Sequence, residues 1–238
     1  METVNRLTNS PPRISAEFQL LFAQPLIAAK LDISIQDREY FSSYIRQRQG
    51  EFRKHKRDGV VFEQSPIGLH NLPEFDPLFQ RIGQLVNASL SKMGLSSSHL
   101  DLYILRSWAN LSTKGMVTAE HSHLNSHISV VYYPDKSSTQ ATINFHGGIE
   151  QSWVPGFNTL PYQRAGLHDA TNPLSANYYS IDPQEDLCLI FPSSLVHSVS
   201  PNASVHPRIS IAMDALFTLK QYTQDEPLLP PPSTWRLL

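Results

Sequence analysis

The sequence predicts an α+β fold, mainly β, in which a jelly-roll core is buttressed by N-terminal helices. Three observations predict it. Apolar residues recur at helical spacing only within the first 94 positions. From Leu100 onward the period falls to two, in the short runs LDLYILRSW, HISVVYY, ATINF, DLCLIF, LVHSV and RISIAMDALF. Clusters of Pro, Gly, Asn and Ser separate those runs, and helices followed by many short strands suit a double-layered β structure, a double-stranded β-helix.

Taken in order, residues 1–17 are polar, carry Pro11-Pro12 and read as a flexible lead-in. QLLFAQPLIAAKL is expected to enter the domain as a short strand. Ser34 can cap a helix running to about Lys54, with Tyr40, Phe41, Tyr44, Ile45, Arg48 and Phe52 on one stripe. A second helix fits Glu74–Met93, where Phe75, Leu78, Phe79, Ile82, Leu85, Val86 and Leu90 share a face and Gly94 can end it. The helices fall within about 34–94 and the jelly-roll core within about 100–217, in one domain spanning 18–220. Residues 147–180 are too irregular for a strand and too long for a turn, a composition typical of a lid or binding wall. A Pro-rich tail, 221–238, ends the chain, and Trp235 is expected to pin it to the body.

A chain of 238 residues with 40% hydrophobic content can bury one substantial core. Its net charge of -2 argues against a nucleic-acid or lipid-surface partner. The basic run Arg53-Lys54-His55-Lys56-Arg57 is the exception and reads as a solvated helix end. A lone cysteine, Cys188, sits in the apolar run LCLIF, which excludes a disulfide framework and suits a buried side chain. With no apolar stretch of membrane-spanning length, the expectation is a cytoplasmic protein outside the membrane, with a homodimer left open.

The chemistry concentrates in EHSHLNSHISVVYYP. His121 and His123 lie two apart, so on extended backbone they face the same way. His197, in FPSSLVHSVSPN, is the best third ligand. Three nitrogens on rigid strands would leave open positions on an octahedral ion, which suits Fe(II). A histidine pair alone fits a solvated polar loop as well. Arg208 and Ser210 in PRISIAMD add weight: they share strand parity, and an arginine aimed into a barrel needs an anion. Together they read as a carboxylate clamp.

These phrases resemble the Fe(II)/2-oxoglutarate-dependent oxygenases. RSWANLSTKG, HSHLNS, ISVVYYP, LCLIFPSSLVHSVSPN and RISIAMD stand in the same order as in one uncharacterised branch of that superfamily, covering about residues 100–217. The resemblance implies that His121 and His197 bind Fe(II). It also implies that Arg208, with Ser210 beside it, binds the distal carboxylate of 2-oxoglutarate, assisted by Tyr133 and Asn110. One departure stands out. Most of the superfamily carries Asp or Glu where this sequence has His123. Either His123 binds the metal, the favoured reading because it preserves strand parity, or water or Asn125 fills the position. His127 is expected to line the pocket or stand behind the ligands, and His146 to face either cavity or solvent.

The implied activity is hydroxylation of a C–H bond in a polar small molecule or an amino-acid- or peptide-like substrate, with release of succinate and CO2. Two rivals remain: a cupin-type three-histidine metalloenzyme without 2-oxoglutarate, and a non-catalytic binding or sensor module. Arg208 and Ser210 count against the first, and the retention of every proposed cosubstrate ligand counts against the second.

Overall fold

A computed structural model describes residues 24–57, 60–65, 68–135, 141–147, 165–166, 178–221 and 228–237. The lead-in 1–17 and nearly all of the segment 147–180 lie outside the described residues. No helix among the described residues is long and apolar enough to cross a membrane.

Strand β1 (Ile27–Lys30) leads into helix α1 (Ile35–Gln47), and β2 (Arg53–Arg57) and β3 (Val60–Gln64) precede α2 (Asp76–Leu90). The remaining strands are β4 (Leu100–Ser112), β5 (Thr118–His121), β6 (Ile128–Tyr133), β7 (Ile143–His146), β8 (Tyr178–Ile181), β9 (Leu187–Pro192), β10 (His197–Val199) and β11 (Arg208–Leu219). They form a major sheet in the order β1-β9-β6-β11-β4-β3-β2 and a minor one in the order β5-β10-β7-β8. Every pairing among them is antiparallel. Two facing antiparallel sheets with helices on the outside of the larger one give the jelly-roll architecture that the sequence predicts.

Local chemistry sets the helix ends. The Ser34 hydroxyl accepts from the Asp37 N–H at 3.0 Å and donates to its carboxylate at 2.7 Å, which caps α1. Gly94, at φ 75°, provides the left-handed turn that ends the single 3-10 turn after α2. Phe41 of α1 stacks on Phe75 at 4.8 Å, and Ile45, Leu78, Ile82, Val86 and Leu90 complete the helical face. That face packs against Ala109 and Leu111 of β4, Ile209, Ile211 and Met213 of β11, and Cys188 and Ile190 of β9. The residues between these on each strand point the other way, into the space between the sheets. There Tyr133, Ile143, Phe145, Leu189 and Phe191 form a second, smaller core.

Three expectations are corrected. The basic run is strand β2 at the sheet edge, because a 3-10 turn at Gln49–Glu51 ends the helical region and Val60–Gln64 offers a pairing partner. An all-basic edge strand also disfavours pairing with another chain. Tyr178–Ile181 pairs with β7 as a strand, so the irregular segment stops before residue 178. The tail is anchored by the Leu219 N–H donating to the Leu229 carbonyl at 3.0 Å. Trp235 is 52% exposed, and its indole N–H donates only within the tail, to Pro230.

Asp186, at φ 62°, ties β1 to the sheet. Its buried carboxylate accepts from the Asp32 and Ile33 N–H groups at 2.8 and 3.4 Å and from the Tyr132 hydroxyl at 2.9 Å. Asp186→Ala should lower stability in urea unfolding by about 1–3 kcal/mol, because the fully buried Tyr132 hydroxyl loses its partner. Adding Tyr132→Phe should then cost less than it does alone; strictly additive losses would show that the pair does not act together.

Candidate metal centre

The histidines converge because two strands of the minor sheet meet in register. His121 closes β5 and pairs directly with His197, the first residue of β10, with ring centroids 4.2 Å apart. His123 follows in the connection to β6, where its N–H donates to the Ser193 carbonyl at 2.8 Å. Its ring stands 5.2 Å from that of His121 and 5.3 Å from that of His197. One nitrogen from each of the three lies within 4.8 Å of the other two.

Hydrogen bonds fix the tautomers of two rings. His121 Nδ1 is 2.8 Å from the Ala119 carbonyl, and His197 Nδ1 is 2.9 Å from the Leu195 carbonyl. A carbonyl only accepts, so Nδ1 carries the proton in each and Nε2 keeps its lone pair. Burial lowers both pKa values, that of His197 to about 4. Both rings are therefore neutral near pH 7, the form that coordinates a metal.

His123 is held differently. Its Nδ1 lies 2.6 Å from Asp214 Oδ1, which also accepts from the Ser129 hydroxyl at 2.7 Å, while Arg106 Nε donates to Asp214 Oδ2 at 2.5 Å. Burial pushes the Asp214 carboxyl up, but the bonds from His123, Ser129 and Arg106 outweigh it and hold the group below the ordinary carboxylate range.

A cavity of about 530 Å³ adjoins the histidines, large enough for a small-molecule ligand. Arg208, Ser210, Tyr133 and Asn110 line it together with His121, His123 and His197, so it gathers the three expected metal ligands and the four residues expected around 2-oxoglutarate. The β4–β11 ladder explains this gathering, since Arg208 faces Ser112, Ser210 faces Asn110, Ala212 faces Trp108 and Asp214 faces Arg106. These residues alternate with the core-facing ones and line the cavity.

Arg208 is 4% exposed and has no carboxylate partner among the described residues. Its guanidinium donates to the Ala141 carbonyl at 3.2 Å and lies 5.7 Å from the Tyr133 ring centroid. Its Nε and the Tyr133 hydroxyl are buried without a hydrogen-bond partner among the described residues. Burial lowers the Arg208 pKa and raises that of Tyr133. Asn110 Nδ2 reaches Ser210 Oγ at 3.5 Å, a weak contact that leaves both groups able to meet a ligand. A buried cation beside such donors could receive a small anion, and a carboxylate has the acceptor capacity to satisfy them.

Other polar residues stand elsewhere. His127 is outside the cavity; it stacks on Phe217 and accepts from the Phe217 N–H at 3.0 Å, because the turn after His123 breaks the strand parity. Asn125 is exposed and off the cavity wall. His146 bonds Ser198 at 2.9 Å and lies 3.6 Å from Glu120, also outside the cavity lining. Cys188 is buried, and burial pushes its thiol pKa up. Sequence reasoning did not single out Asp214, Arg106 or Ser129. The detectable signal was an aspartate at the strand parity of Arg208 and Ser210 in an otherwise apolar run.

No curated protein matches the sequence. Among solved structures, the chain is similar to a Pseudomonas putida prolyl-4-hydroxylase, at 13% identity and TM-score 0.54, covering 80% of this chain and 92% of that one. It is also similar to the epimerase SnoN from nogalamycin biosynthesis in complex with Fe3+, alpha ketoglutarate and nogalamycin RO, at 12% identity and TM-score 0.58, covering 87% and 91%. A third is HygX from Streptomyces hygroscopicus with nickel, 2-oxoglutarate and hygromycin B bound, at 13% identity and TM-score 0.52, covering 81% and 82%. At these identities the likeness establishes the fold. Residues 106–214 match the family described as "Putative 2OG-Fe(II) oxygenase", a stretch that contains the three histidines, Arg208 and Ser210. Over that stretch the chain is similar to the Fe(II)/2-oxoglutarate-dependent oxygenases.

Proposed function

We propose that the chain is an Fe(II)- and 2-oxoglutarate-dependent dioxygenase that hydroxylates a C–H bond of a polar small molecule or an amino-acid- or peptide-like substrate. The observation that carries this reading is the buried Arg208 guanidinium. Among the described residues it has no anionic partner and lies beside an unpartnered Tyr133 hydroxyl, and it shares a cavity with three converging imidazoles. A cupin-type metalloenzyme acting without a cosubstrate would have no use for that cation, whose burial is costly unless an anion meets it.

His121, His123 and His197 would hold Fe(II), presenting one ring nitrogen each from two strand ends and one loop. When bound, the iron and 2-oxoglutarate would supply oxidative decarboxylation to succinate and CO2 with dioxygen as the oxidant, one oxygen atom entering succinate and the other the hydroxylated substrate. Arg208 would grip the far carboxylate of 2-oxoglutarate through its planar fork. Tyr133 would donate its hydroxyl hydrogen to the same carboxylate, and Ser210 and Asn110 would add donors alongside. The inter-sheet core of Ile143, Phe145, Leu189 and Phe191 keeps water from the closed end of the site. On the cavity wall, Arg106, Glu120 and Trp108 offer polar and aromatic contacts for a substrate. The ligands named for HygX and SnoN support a polar small molecule, and the prolyl-4-hydroxylase keeps an amino-acid-like substrate in view.

Calorimetric titration of 2-oxoglutarate into the Mn(II)-loaded chain tests the clamp. Arg208→Ala should weaken 2-oxoglutarate binding by roughly 30- to 5,000-fold, the equivalent of about 2–5 kcal/mol. Mn(II) binding should be unchanged, and Arg208→Lys should restore only part of the loss. Undiminished 2-oxoglutarate affinity in Arg208→Ala would remove the cosubstrate from this reading.

The neutral histidines also predict a pH signature for the metal-free chain. His197 titrates at about 4 when folded against an ordinary value of 6.5. Below about pH 6.5 the unfolded chain therefore takes up a proton that the folded chain refuses, and stability falls until pH approaches about 4. His121 acts in the same direction. Urea midpoints measured across this window should fall less steeply for His197→Gln than for the wild type, and identical slopes would show that His197 is not held neutral.

A further inference from the structure

We infer that Asp214 is a positioning residue of the metal centre, supplying from behind His123 the carboxylate that most of the superfamily places among the ligands themselves. The inference rests on the reading of His121, His123 and His197 as the ligands.

The three imidazoles are supported unequally. His121 and His197 are strand residues, and each donates Nδ1–H to a carbonyl two residues back, on Ala119 and Leu195. Regular backbone holds those rings. His123 lies outside any strand, in the connection between β5 and β6, and no local carbonyl holds its ring. Its ring is held instead by Asp214, 91 positions away on β11 of the opposite sheet.

Asp214 is built for that contact. It is fully buried, and it stands between apolar neighbours in IAMDALF. Burying a carboxylate is costly unless every oxygen is satisfied, and here each one is. Oδ1 accepts from His123 and Ser129, and Oδ2 from Arg106. A carboxylate only accepts, so Nδ1 of His123 donates to it, and Nε2 is the ring nitrogen left to meet a metal. The contact also makes the imidazole a stronger donor than a carbonyl would, as outer-sphere carboxylates do for metal-bound histidines. Exchanging the usual carboxylate ligand for His123 thus moves the carboxylate back by one side chain and keeps it in the centre.

Arg106 completes the arrangement. It reaches Asp214 through Nε, its guanidinium lies 5.2 Å from the Trp108 ring centroid, and it lines the cavity. Neighbouring ladder positions on β4 and β11 hold the pair, next to a register shift between Asp214 and Ala215.

Titration of the metal-free chain with Co(II), followed by visible absorption, tests the inference without turnover. Asp214→Asn keeps the shape and removes the charge, and it should raise the Co(II) dissociation constant by about 10- to 100-fold and shift the absorption bands. In a His123→Asp background the ligand no longer needs an outer carboxylate, so Asp214→Asn should change Co(II) affinity little. This coupling separates positioning from a general loss of fold, which would weaken both backgrounds alike. Should Asp214→Asn fail to fold with Arg106 left unpaired, Asp214→Asn/Arg106→Gln provides a neutral pair that should show the same loss. Wild-type affinity in Asp214→Asn, or equal losses in both backgrounds, would overturn the role of Asp214 and leave the histidine centre standing. Co(II) binding to the wild type no tighter than to His121→Ala would overturn the metal centre itself, and this inference with it.

Discussion

Strand β11 lies between β4 and β6, so hydrogen bonds on both sides hold its central residues in register. Side chains on such a strand must alternate between the two faces of the sheet. Ile209, Ile211 and Met213 enter the helical core, which places Arg208, Ser210 and Asp214 in the space between the sheets. Six residues of extended chain span about 20 Å, enough to carry the anion receptor at one end and the support of His123 at the other. A one-residue slip would bury Arg208 against α1 and α2 and remove both functions together.

The two charged groups on this face are balanced in different ways. Asp214 is satisfied within the protein by Arg106, Ser129 and His123. Among the described residues, Arg208 keeps a buried Nε without a partner, and the Tyr133 hydroxyl beside it is also unpartnered. Interiors rarely leave such groups unmet. The contrast separates a polar group that helps build the site from one that waits for a ligand. The same logic applies to the histidines, whose Nδ1 protons are committed to carbonyls or to Asp214 while the facing nitrogens stay free.

Much of this was legible in the sequence, because alternation and spacing encode it. The change of period at Leu100 locates the β core, and the parity of Arg208 with Ser210 marks a polar face on a buried strand. Gly94 and Ser34 stand where helix ends require them. The basic run 53–57 was misread because Arg and Lys are good helix formers, while strand β2 is decided by pairing with β3. The expected pocket position of His127 failed once a turn broke the alternation. The His123–Asp214 contact joins residues 91 apart, and no local pattern announces a partner at that distance. The role expected for 147–180 falls almost wholly on residues that are not described.

The most direct test is a crystal structure of the chain grown without oxygen in the presence of Mn(II) and 2-oxoglutarate. The account predicts a metal bonded to one nitrogen each of His121, His123 and His197, with the far carboxylate of 2-oxoglutarate on Arg208 and Tyr133. A metal bound elsewhere, or 2-oxoglutarate that leaves Arg208 without an anion, would contradict it.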